Sequence, residues 1–281
     1  MPRFRILAAV VVAGVLVTGV ATAREGVKIG NASYLRNLVS AEKIENTAAL
    51  QYNDLTRQAF QKQALLGDDH PQVVRLRRIA HDLLPFTYDF NPRAKDWKWD
   101  VNVISAKQIN AFCMPGGKIA FFTGIIDQLN LTDDEVAMVM GHEIAHALRE
   151  HARERAAKST LTNIGALAVG VIVGGNVGEL ARVGGGLMTL KFSRDDESEA
   201  DLVGMELAAR AGYDPRSGLT LWNKMSAASK GAPPQWMSTH PAGETRIQLI
   251  KDHLKEVEGL YERARIAKEK GGTPPLPAPK N

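Results

Sequence analysis

The chain contains one cysteine, Cys113, in 281 residues. That excludes an internal disulfide framework and a cysteine-rich zinc site, and leaves a buried free thiol as the expected role of Cys113. Aromatic residues make up 6% of the chain, and no basic stripe is interleaved with them, so no nucleic-acid partner is expected. The formal charge is +4, and two of those charges are Arg3 and Arg5 at the extreme N-terminus, so charge says little about partners. No internal repeat is present. No apolar run reaches the roughly 20 residues of a spanning helix. The apolar (44%) and charged (23%) fractions are ordinary and suffice for a sizeable core in one catalytic domain with helical additions.

At the N-terminus, Arg3 and Arg5 precede an apolar run from Ile6 to Val20 and the small-x-small step Ala21-Thr22-Ala23. This order reads as a secretory signal peptide, 1–23, cleaved after Ala23, and so as an exported, periplasmic protein. An uncleaved membrane anchor is the competing reading, and the short run disfavours it. A helical region is expected over 24–94, from the patterns Ala41 to Leu66 and Pro71 to Leu84 around the breaker Gly67-Asp68-Asp69-His70. The catalytic domain is expected over 95–268, ending in a long charged helix. The Pro-rich tail 269–281 should be disordered.

Trp97 to Ile104 alternates large apolar and polar residues, and Lys118 to Thr123 is a second strand candidate entered through Met114-Pro115-Gly116-Gly117. Together they predict a small antiparallel sheet whose edge can take an extended peptide by strand addition. The helix that follows carries the chemistry. Met138 to Leu148 reads His142-Glu143-Ile144-Ala145-His146 inside helical apolar spacing. Residues four apart lie about 40° and roughly 6 Å apart, so His142 and His146 present their rings to one ion. Glu143, displaced around the axis, can flank that ion as a general base. Thr132 and Glu135 are spaced as a capping box, and the helix is expected to run on through His151. The register excludes His151 as a metzincin-type third ligand and leaves it an outer or surface residue.

A hydrolase zinc takes three protein ligands and an open position, so a third ligand must come from elsewhere. Glu197 and Asp201 share a helix face. One of them can bind the metal while the other accepts a hydrogen bond from a ligand imidazole. Glu199 points away and reads as a solvated charge. The alternative is that the whole cluster is an acidic helix N-terminus. Residues 161–188 turn rich in Gly, Val and Ala, either as a buried hairpin or as a flap in contact with membrane.

These motifs occur in order: Asn110-Ala111-Phe112 with Pro115-Gly116-Gly117, His142-Glu143 with His146, Ser193-Arg194 with Glu197 and Asp201, Ala211-Gly212-Tyr213-Asp214-Pro215, and His240-Pro241 with Arg246-Ile247. Over residues 95–250 they resemble the zinc metallopeptidase family of CAAX prenyl proteases and Oma, HtpX and BepA-like proteases. The resemblance implies a mainly helical α+β, zincin-like fold of gluzincin type. It implies one zinc on His142, His146 and Glu197, with Glu143 as base and Asp201 behind a ligand. It also implies polypeptide substrates, which suggests quality control of misfolded envelope proteins. The rival reading is a metal-stabilised periplasmic chaperone or assembly factor, supported by the apolar 161–188 stretch. His240, held extended by Pro241, would block the fourth zinc position if its loop folds over the cleft. The opposite role is a transition-state donor, filled by His240 or Arg246, and a third reading has His240 only capping the following helix.

Overall fold

The computed structural model describes residues 24–167, 191–229, 234–240 and 244–277. The expected signal segment 1–23, most of 161–188, Pro241 and the last four residues lie outside the described residues. The fold is α+β and mainly helical, as expected. Its helices are α1 (Ala41–Gln61), α2 (Pro71–Leu83), α3 (Thr123–Gln128), α4 (Asp133–Leu148), α5 (His151–Leu167), α6 (Arg194–Arg210), α7 (Ser217–Ala228), α8 (Gln235–Thr239) and α9 (Glu244–Glu269).

The sheet has three strands, β1 (Asp100–Ile104), β2 (Ala111–Met114) and β3 (Lys118–Phe122), in the order β1-β3-β2. The expectation of an antiparallel sheet is corrected in part: β1 pairs with β3 in parallel, with Val101 opposite Ile119, and β2 pairs with β3 antiparallel. Apolar alternation carries no direction. What sets it is the short intervening strand, which returns through Pro115-Gly116, with Gly116 at φ +83°, the Pro-then-Gly order of a type II turn. β3 therefore enters the centre of the sheet, and among the described residues the outer edge of β2 carries no further strand.

Helix α4 is the axis of the core. Every residue from Glu135 to Leu148 is buried, which an amphipathic surface helix would not show. Its capping box forms as predicted: Thr132 Oγ1 accepts from Glu135 N at 3.3 Å, and Glu135 Oε2 accepts from Thr132 N at 2.9 Å. Helix α6 starts on an equivalent box, Ser193 with Asp196. It crosses α4 where Gly204 meets Gly141. A Cβ on Gly204 would lie 2.6 Å from the His142 backbone nitrogen, so only glycine permits this approach. The helix that carries His142 and His146 does not continue through His151. It ends at Leu148, and Glu150 at φ +59° redirects the chain before α5 begins at His151.

Candidate metal centre

The close α4–α6 crossing sets two buried carboxylates of α6 against the two histidines of α4. His142 Nε2 and His146 Nε2 face one another at 3.0 Å. Glu197 reaches both, with Oε2 3.5 Å from His142 Nε2 and Oε1 3.4 Å from His146 Nε2. His240 adds its Nδ1 at 3.2 Å from His142 Nε2 and 2.9 Å from Glu197 Oε1. One ligand atom from each of these four buried residues lies within 4.8 Å of the others. Tetrahedral zinc at about 2.0–2.1 Å from each ligand needs ligand atoms roughly 3.3 Å apart, which the observed spacing matches. Two imidazole nitrogens and a carboxylate are also a donor set suited to zinc, so the residues fit the ion.

The distal ring nitrogens are tied outward. Asp201 Oδ1 lies 3.0 Å from His142 Nδ1, and Arg246 donates to both oxygens of Asp201 at 2.6 Å. Arg246 also sets Nη1 2.6 Å from Glu197 Oε2 and lies 3.8 Å over the Trp222 ring. Burial would raise the Asp201 pKa, but Arg246 and His142 outweigh it and hold the carboxyl below its usual range. Burial opposes ionisation of Glu197 too, yet the neighbouring His146 and His240 outweigh it and hold its carboxyl well below the usual range. Desolvation drives His146 well below the ordinary imidazole value, so it stays neutral and able to bind a cation.

Two features escape the sequence pattern. Trp236 donates from Nε1 to Glu143 Oε1 at 2.6 Å and stacks on His240 with centroids 4.8 Å apart. It lies on the same short helix that delivers His240, and its backbone N–H donates to Ile109 O next to β2. The nearest sequence signal was its position four residues before His240. The second feature is Glu199, which is no solvated charge: its carboxylate accepts from His151 and Arg149, and these outweigh burial to depress its pKa. Cys113 is buried and free, as expected, and desolvation raises its thiol pKa well above normal.

A cleft opens in front of the centre between the β2 edge and α4. Its lining includes Ala111, Phe112 and Met114 of β2 together with His146, Phe192 and His240. Phe192 stacks on His146 with ring centroids 3.9 Å apart.

Paired histidines one turn apart on a buried helix, a carboxylate from a crossing helix and a glutamate beside them define a metallopeptidase of the His-Glu-x-x-His class. The chain belongs to peptidase family M48, whose family profile matches residues 71–254. It is 39% identical over 153 residues to the mitochondrial metalloendopeptidase OMA1 of Arabidopsis thaliana, covering 54% of this chain and 31% of that protein. It is 30% identical over 239 residues to the mitochondrial metalloendopeptidase OMA1 of Bos taurus, covering 78% of this chain and 43% of that protein. It is 32% identical over 156 residues to the metalloprotease LoiP of Escherichia coli, covering 54% of this chain and 61% of that protein. The chain thus spans less than half the length of either mitochondrial relative. Among the described residues, no helix is long and apolar enough to cross a membrane.

Proposed function

We propose that this chain is a zinc-dependent endopeptidase of the cell envelope that degrades misfolded or misassembled exported proteins, after loss of residues 1–23 as a signal peptide. The observation that carries the reading is the convergence of His142 Nε2, His146 Nε2 and the Glu197 carboxylate beside a glutamate that is held by a hydrogen bond. Zinc bound there would polarise the scissile carbonyl and acidify water. The remaining steps belong to the protein. Glu143 takes the proton from the attacking water and passes it to the leaving amine. Trp236 fixes the Glu143 carboxylate through Oε1. Asp201 holds the His142 Nδ1 proton, so the lone pair stays on Nε2. The outer edge of β2, which carries no further strand among the described residues, supplies backbone groups for an extended substrate running along the cleft.

The position of His240 favours a second, regulatory reading. Its Nδ1 sits inside the ligand cluster, and its Nε2 is 3.6 Å from Glu143 Oε1. A histidine in that place excludes substrate and water from the fourth position, which makes this conformation latent. Arg246 is engaged with Asp201 and Glu197, which supports a clamp on these carboxylates over an oxyanion donor. His240→Ala should therefore raise basal cleavage while zinc is kept. A loss of turnover with zinc bound would favour the donor role instead.

The function is tested with purified protein and casein. Cleavage should stop with a zinc chelator and return with added zinc. A protein that binds one zinc, never cleaves and suppresses aggregation of unfolded clients would establish the chaperone reading.

A further inference from the structure

The two ligand histidines are supported differently. His142 leans on a carboxylate directly, whereas the Nδ1 of His146 lies 2.9 Å from another imidazole nitrogen, His151 Nδ1. Only one of these two nitrogens can hold the proton between them. His146 needs the lone pair on its Nε2 for the metal, so its proton sits on Nδ1 and points at His151. His151 Nδ1 must then accept, which places the proton of neutral His151 on Nε2. That nitrogen lies 2.9 Å from Glu199 Oε2. The other oxygen of Glu199 accepts from Arg149 Nη2 at 2.7 Å, and the same Nη2 donates to Gly30 O at 2.6 Å. Each imidazole proton along this run has an acceptor, so the hydrogen bonds specify one tautomer for each ring.

The backbone explains how His151 comes to be there. On an unbroken helix, residue 151 would continue past His146 along the same axis. The left-handed turn at Glu150 ends α4 and starts α5, and the ring returns onto His146, where it is 2% exposed. A non-glycine residue at φ +59° is strained, and the surrounding contacts must offset that strain. Salt bridges from Arg36 at 3.0 Å and Arg153 at 2.8 Å hold the Glu150 side chain.

We propose that His151, Glu199 and Arg149 form a positioning chain, anchored on the Gly30 carbonyl, that fixes the tautomer and ring orientation of His146 and so keeps its Nε2 directed at the metal. This rests on the reading of His146 as a zinc ligand. The chain is the counterpart, at the second histidine, of Asp201 with Arg246 at the first. It also ties the segment near residue 30 to the quality of the metal site.

The test measures zinc release into a chromogenic chelator, with folding followed by circular dichroism. His151→Phe and Glu199→Ala should release zinc roughly 10 to 100-fold faster than wild type, the range for lost supports of a metal ligand. His151→Gln, whose side-chain carbonyl can accept from His146 Nδ1, should restore most of that loss, which mere filling of space by Phe would not. A folded His151→Phe that releases zinc at the wild-type rate would overturn the proposal, as would a His151→Gln as fast as His151→Phe. If His151→Phe fails to fold, Glu199→Ala carries the same comparison. A wild-type protein that lacks one tight zinc site would overturn the reading of His146 beneath it. A tight wild-type site with unchanged variants overturns the positioning chain alone.

Discussion

At the scale of single residues, the centre depends on which carboxylate of α6 meets the histidines. Glu197 sits between the two Nε2 atoms and Asp201 lies behind His142, while Glu199, two residues along, points to Arg149 and His151. Asp201→Asn should weaken zinc binding by roughly 10 to 100-fold, measured by chelator competition, because the amide cannot hold both the imidazole proton and the Arg246 pair. An unchanged affinity would remove Asp201 from the support of His142. Much of this was legible in the sequence. His142, Glu143 and His146 follow from helical spacing, and the pairing of Glu197 with Asp201 from a shared face, while which of the two meets the histidines came only with the family resemblance. Trp236 and Glu199 were not legible. Trp236 reaches Glu143 from a segment 93 residues away, and the role of Glu199 depends on a backbone reversal at Glu150 that no local rule places on a glutamate.

At the scale of elements, the distance between α4 and α6 controls the metal site. Gly204→Ala would press a methyl against the His142 backbone, where no flexible side chain can yield. Overpacking of this kind costs about 1–3 kcal/mol and should also lower zinc affinity, since Glu197 and Asp201 move with α6. Thermal unfolding with and without zinc checks both parts. A variant with wild-type stability and zinc affinity would contradict the close approach.

The start of α4 makes a separate prediction. Burial would raise the Glu135 pKa, but Lys224 at 2.6 Å, the Thr132 amide and the Thr220 hydroxyl outweigh it and lower the pKa from 4.5. A depressed folded-state value contributes stability above the unfolded-state pKa, and that contribution is lost as pH falls through the folded-state value. Glu135→Gln should therefore be less stable than wild type by about 2 kcal/mol at pH 7. In denaturant titrations the gap should narrow below pH 4.5, and a gap that is constant with pH would show that the charge of Glu135 is not what stabilises the helix start. The capping box behind this was readable from Thr132 and Glu135. The direction of β1 against β3 was not, because alternation marks the faces of a strand and not its polarity.

At the scale of the whole molecule, a buried helix carries two histidines, a crossing helix sets Glu197 and Asp201 against them, and α8 brings Trp236 onto Glu143 and His240 against Glu197. The match to peptidase family M48 over residues 71–254 covers all of these parts. Broad class and active helix were therefore legible before any coordinates. The approach of His240 to the cluster was not legible, because it depends on a contact between segments about 100 residues apart in sequence, His142 with His240.

The central claim is that Glu143 acts as the base beside a metal held by its neighbours. The most direct test is Glu143→Gln, assayed for zinc content and casein cleavage on the same preparation, with His240→Ala in the background to remove the proposed block by His240. The account predicts one zinc per chain and no cleavage. Cleavage at the rate of the His240→Ala parent would contradict it.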